Sequence, residues 1–280
     1  MKRILLFALL ILGMSLELGA QAKIYTKKMK VADFTDKTLK VVLSGGEMAD
    51  APFKARVLDH WRISPYEFCT LSEFERDKAD TNLYFMFIAG KNDGLDHLEV
   101  VKGSKVPGEN LEKMLSVVSL PLRATGEKGT RYLSYLGAYL DIFQEFILEA
   151  MHNDIVGYSG LSNKAFRARA EKGSVFLVAD CDVAEMPDEA MTAALAERGM
   201  RIVSEAETTE KMDVAAAATL VSYCIRPIEP VKHKYCYSLL VGAEDHKLYY
   251  CNKKYYVNEN NAGFNRAAFK RFVRLISPLK

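Results

Sequence analysis

The residues of this sequence whose types could do chemistry are few and scattered. His60, Asp180 and Asp182 are the candidates for acid–base work. A carboxylate pair can hold a cation or a sugar hydroxyl while an imidazole moves a proton, the outline of a hydrolase acting on glycan or peptide. Asp180 and Asp182 follow an apolar run at the edge where α/β ligand sites lie, and a spacing of two would aim both to one side of a continuing strand. An exposed acidic loop preceding Pro187 accounts for them better. His60 stands beside Asp59 and Trp61 at the predicted end of a helix, where the helix dipole favours it without any catalysis. Cys69 and His60 are a Cys–His pair nine residues apart, and no nucleophile signature flanks Cys69. Ser44-Gly45-Gly46-Glu47 could offer backbone N–H groups to an anion, but it lacks the lysine of a phosphate loop, and turn chemistry explains it better.

Tyr249, Tyr250, Tyr255 and Tyr256 surround Lys253-Lys254, with Tyr235 and Tyr237 on an adjacent strand. Such a cluster could stack on sugars or fill a protein interface, although strand propensity also enriches tyrosine. The five cysteines, Cys69, Cys181, Cys224, Cys236 and Cys251, leave at least one unpaired in an oxidising compartment. A two-residue turn at Ala243-Glu244 would set Cys236 opposite Cys251 and allow a disulfide; a turn at Glu244-Asp245 would set Cys236 against Lys253 instead. The sequence contains no Cys-x-x-Cys or His-x-x-x-His spacing, so neither a metal site nor a cofactor is expected.

The elements that must position these residues follow from periodicity. Leu39–Leu43 reads as a strand closed by Gly45-Gly46, residues 48–60 as an amphipathic helix, Trp61–Phe68 as extended and Ser72–Lys78 as a short helix. Asn82–Ala89 and Leu95–Val101 form a hairpin across Lys91-Asn92-Asp93-Gly94. Asn110–Val118 reads as a helix, and Leu133–Met151 as a longer, mostly apolar one ending near Asn153. A second series then begins: strand Val175–Ala179, helix Asp188–Arg198 with Pro187 at its start and Gly199 at its stop, strands Thr219–Ile225, Tyr235–Val241 and Lys247–Cys251, and a helix Phe264–Ile276.

The two series look like copies. Met200-Arg201-Ile202 matches Trp61-Arg62-Ile63 at an offset of 139, and Ser277-Pro278-Leu279-Lys280 echoes Leu120-Pro121-Leu122-Arg123 at 157. The growth of 18 residues is what one added strand in the second copy requires. The expected fold is therefore α+β, two related sheet-plus-helix modules (an internal duplication) at 23–130 and 158–280, joined by a long helix at 131–157.

Residues 1–22 stand apart. Lys2-Arg3, an apolar run from Ile4 to Leu12 and the small residues of Ala20-Gln21-Ala22 have the layout of a cleaved signal peptide, and the run is too short to span a bilayer. The chain of 280 residues is 49% apolar and 26% charged, an ordinary globular mixture. With 38 basic against 36 acidic residues it has no excess positive charge for a nucleic-acid backbone, and no later segment is apolar enough to be an integral membrane span.

Ala194-Leu195-Ala196-Glu197-Arg198-Gly199-Met200-Arg201-Ile202-Val203, followed by an acidic short helix and Leu220-Val221-Ser222-Tyr223, resembles a small α/β module of bacterial envelope proteins. That module is found in the periplasmic part of curli-assembly lipoproteins and in the amino-terminal domain of the Tol translocation protein. The likeness covers roughly 175–251, and the Ala-Gln at the cleavage point resembles exported proteins of Bacteroidota. It implies envelope assembly or scaffolding with no identified reaction, and the absence of a cysteine at the cleavage point departs from the lipid-anchored members. The expectation is a periplasmic or secreted protein that binds an envelope protein or glycan without catalysis; an envelope hydrolase is the alternative.

Overall fold

The structure, a computed structural model, describes residues 28–105, 114–167, 170–229, 234–258 and 262–275. The leader expected at 1–22 lies outside these residues. Eight helices are described: α1 (Lys28–Val31), α2 (Glu47–His60), α3 (Leu71–Asp77), α4 (Arg131–His152), α5 (Asp154–Arg167), α6 (Glu189–Ala196), α7 (Glu205–Asp213) and α8 (Arg266–Leu275). Ten strands accompany them: β1 (Thr38–Leu43), β2 (Tyr66–Thr70), β3 (Leu83–Gly90), β4 (Leu95–Lys102), β5 (Leu115–Ala124), β6 (Val175–Ala179), β7 (Met200–Val203), β8 (Thr219–Ile225), β9 (Tyr235–Gly242) and β10 (Leu248–Tyr255).

The strands form two five-stranded sheets with one topology. The first has the order β2-β1-β3-β4-β5 and the second β7-β6-β8-β9-β10. In each, the first strand pairs in parallel with the second and third, and the last three run antiparallel. Both parallel connections carry a helix, as such crossovers require. Leu39 pairs with both Tyr66 and Tyr84, and Phe176 with both Met200 and Leu220. The corresponding residues are thus separated by 137, 134 and 136 positions.

The repeat expected from sequence is present, but two of its details are corrected. Met200 corresponds to Tyr66, so the match to Trp61 lies five residues out of register. Among the described residues the second copy has no added strand, each sheet having five. The segment expected as a helix at Asn110–Val118 enters β5 from Leu115 onward, its earlier residues 110–113 lying outside the described ones. Val117, Val118, Leu120 and Leu122 are buried β-formers, and Pro121 is tolerated because β5 is the edge strand.

The copies stack front to back. In the first, α2 packs with α4 on one face of the sheet, while α3 covers the other through Phe74, against Val42, Cys69 and Phe85. In the second, α6 packs with α8 on the corresponding face, against Phe176, Val178 and Leu220, while Met212 of α7 joins Val221 and Tyr223 on the other. The α7 side of the second copy lies on α4. That helix is therefore enclosed by both sheets: every residue from Tyr135 to Leu140 is buried, and beyond it the stripe of Asp141, Glu145, Leu148 and Glu149 is partly or fully exposed. Two buried tyrosines tie it in with their hydroxyls, Tyr135 to the Ser222 carbonyl (2.7 Å) and Tyr139 to that of Pro121 (2.9 Å), and Tyr223 of β8 joins the two sheets by donating to the Leu122 carbonyl (2.6 Å). No described helix is long and apolar enough to cross a membrane.

Candidate functional site

His60, the last residue of α2, meets residues from elsewhere in the chain. Its Nδ1 lies 2.9 Å from Oδ2 of Asp141, in the middle of α4, and Nδ1 of His246, in the β9–β10 loop, lies 2.6 Å from the same oxygen. One ligand atom from each of the three falls within 4.8 Å of the others, and all three side chains are half-buried at the seam between the copies. Local sequence explains each placement. Gly137, one turn before Asp141, leaves room for the imidazole: a Cβ there would stand 2.6 Å from Nε2 of His60. His246 takes a left-handed backbone (φ 53°), uncommon for a residue with a side chain, where the β9–β10 loop reverses.

Gln144 braces the cluster. Its Nε2 donates to the His60 carbonyl (2.9 Å) and to Oδ1 of Asp141 (3.1 Å), and its Oε1 accepts from the Arg62 amide (2.6 Å). Burial alone would push the Asp141 carboxyl up, but the hydrogen bonds from His246 and His60 outweigh it and hold the group below its ordinary value. Two imidazoles and one carboxylate converging this way are a donor set of the kind that holds a divalent metal ion. Sequence spacing did not suggest it, because Asp141 is 81 residues from His60 and 105 from His246.

Asp182 sits elsewhere and does something else. Asp180–Asp182 form a 3-10 turn rather than a strand extension, so the two carboxylates diverge: Asp180 is exposed and Asp182 is 1% exposed. Asp182 accepts a bidentate pair from Arg131 (2.9 and 2.8 Å), the Ser222 hydroxyl (2.6 Å) and the Cys224 amide (3.2 Å). Burial would weaken the Arg131 charge, yet its bond to Asp182 more than restores it. Arg131 and Asp141 are ten residues apart on α4, about 15 Å along the axis, so the expected grouping of His60 with Asp180 and Asp182 does not form. Cys69 faces the α3 side of the first sheet, away from His60, and burial pushes its thiol up to about 11.

The glycine turn at Ser44-Gly45 is closed from within: the Asp50 carboxylate accepts from the Ser44 amide and hydroxyl and the Gly45 amide, each at 2.9 Å. The disulfide expected between Cys236 and Cys251 is absent. Cys251 pairs with Leu239, and Cys236 lies opposite Lys254, because a longer loop and a bulge between Leu248 and Tyr250 shift the register. The tyrosine group divides as well. Tyr250 packs on Phe264 and Phe272, and Tyr256 is buried, so neither is available to a ligand. Tyr249 is half-buried and donates to Asp245 (2.6 Å). Tyr255 is 53% exposed and stacks on Tyr235 at 4.6 Å, with the Lys253 ammonium 3.9 Å from the Tyr235 ring centre.

No protein-family model, curated protein or solved structure matches this chain.

Proposed function

We propose that the protein is an exported, periplasmic or secreted component of the cell envelope that acts by interaction or assembly rather than catalysis, and that it engages a protein partner at the open end of the β9–β10 hairpin. The observation that carries this reading is the stacked Tyr235–Tyr255 pair on the edge of the second sheet, with Tyr255 and Val257 exposed by 53% and 68%. Exposed tyrosine beside an aliphatic side chain and a lysine is the composition of an interface anchor.

The test is site-specific photocrosslinking from position 257 in native envelope extract, compared with a Tyr255→Ala variant. Capture of one defined protein, lost in the variant, is expected. Equal capture by both, or a surface that retains envelope glycan and no protein, would overturn the reading.

A further inference from the structure

We propose that His60, Asp141 and His246 form a binding site for a divalent ion of the zinc class, which staples the second copy of the module to the first. The inference is independent of the interface at Tyr255.

The ligand types are those of a borderline ion: two imidazole nitrogens and one carboxylate oxygen suit zinc and its first-row neighbours, whereas magnesium and calcium take oxygen. The geometry is close to what is needed. Ligand atoms around a tetrahedral ion with bonds near 2.0 Å stand about 3.3 Å apart. Here the carboxylate oxygen is 2.9 and 2.6 Å from the two nitrogens and all three atoms lie within 4.8 Å, so outward shifts of the oxygen by about 0.4 and 0.7 Å bring those two distances to the tetrahedral value. The surroundings hold the ligands in place. Gln144 fixes the other carboxylate oxygen and the carbonyl of His60, the outer support that metal ligands ordinarily have. Gly137 seats Nε2 of His60 against α4, which turns Nδ1 toward Asp141.

The half-buried side chains leave one side of the cluster open, so a fourth position falls to water or to a ligand from outside. His60 and Asp141 belong to the first copy and its α4 helix, and His246 to the second. An ion held by all three would oppose separation of the copies.

The experiment is titration of the purified full-length protein with Zn²⁺, and separately with Co²⁺, followed by calorimetry and visible absorption. One equivalent should bind, the Co²⁺ spectrum should lack a thiolate charge-transfer band, and saturating Zn²⁺ should raise the unfolding temperature. His60→Ala, Asp141→Asn and His246→Asn should each weaken binding by about 100-fold or more, and Gln144→Ala by about 10- to 100-fold, the range known for outer partners of metal ligands. His246→Asn lies in a loop and keeps a residue tolerant of left-handed backbone, so it decides the matter even if a helix variant does not fold. Binding that survives His246→Asn, a thiolate band, or no saturable binding would overturn the proposal.

Discussion

Replacing Asp182 by alanine should be the most damaging single change in the seam, and the structure sets its size. The carboxylate is 1% exposed and accepts four hydrogen bonds from nitrogen and oxygen donors, two of them from Arg131, whose side chain is itself largely buried, and a longer one from the Cys181 thiol (3.8 Å). Removing one member of a buried ion pair costs about 3–5 kcal/mol, because the remaining charge stays buried without its partner. Two contacts soften the loss here. The guanidinium also donates to the Ser222 carbonyl (3.0 Å) and lies 5.0 Å from the centre of the Tyr223 ring. The expected value is therefore near the lower end, about 3 kcal/mol, read as the shift in chemical unfolding free energy at neutral pH. In a chain of this size that lowers the melting temperature by roughly 6–12 °C. The decisive comparison is Arg131→Met combined with Asp182→Leu. Both variants orphan the Ser222 hydroxyl and the Cys224 amide, but only the single variant orphans a charge, so the double variant should recover about 2 kcal/mol. A cost below about 1 kcal/mol for the single change, or a double variant no more stable than the single, would refute the assignment of Asp182 to a buried structural pair.

Gly137→Ala should separate stability from positioning: the helix gains about 1 kcal/mol of propensity, while the new methyl displaces the His60 ring from Asp141, so unfolding changes little and the His60 imidazole resonances in NMR shift; unshifted resonances would sink this account. Cys181 is exposed, yet burial of its sulfur and the neighbouring Asp182 charge push its thiol up to about 12 from 9.0. Its alkylation at pH 8 should accordingly run tens of times slower than that of a free cysteine, as peptide mapping of a timed alkylation would record. The Asp93 carboxyl is pushed up by burial but held lower still by its hydrogen bond from His97, so its stabilisation is present above the unfolded value of 3.8 and is lost as pH falls through the depressed folded value. Asp93→Asn should therefore lower the urea midpoint at pH 6 and converge with the parent protein near pH 2, and a pH-independent difference would count against it.

Much of the architecture was legible because it is written in local signals. The Asp-Gly turn announced the β3–β4 hairpin, Gly199 ended the segment after α6, and the apolar stretch at 133–151 marked the central helix. What failed were inferences that needed a partner strand. β5 read as helix because its apolar residues carry no strict alternation, and its strand character comes from burial against α4. The Cys236 pairing failed by a bulge and a longer loop, neither of which has a reliable signature over so few residues. The candidate site was illegible for a different reason. Periodicity orders residues along one helix or strand, whereas His60, Asp141 and His246 come from a helix end, a helix middle and a loop. Only the front-to-back stacking brings them together. Gly137 offered a faint sequence clue, since a glycine inside an otherwise apolar helix often marks a close approach.

That stacking also explains why two helices in corresponding positions have such different sequences. Helix α4 closes one face of the first sheet just as α8 closes the corresponding face of the second, each following the last strand of its copy. The second copy covers the outer side of α4, where Tyr135 bonds the Ser222 carbonyl, and Tyr135, Ala138 and Ile142 on that face are accordingly buried along with the sheet-facing residues. Among the described residues no further copy lies on α8, and it exposes Arg266 and Lys270 while burying Ala268, Phe269 and Phe272. A repeat whose face is left to water needs that face polar. The amphipathic pattern of α8 is thus the solvated form of the same helix. The seam, with its cluster of two histidines and an aspartate, arises where the repeating face of α4 is covered by the second copy.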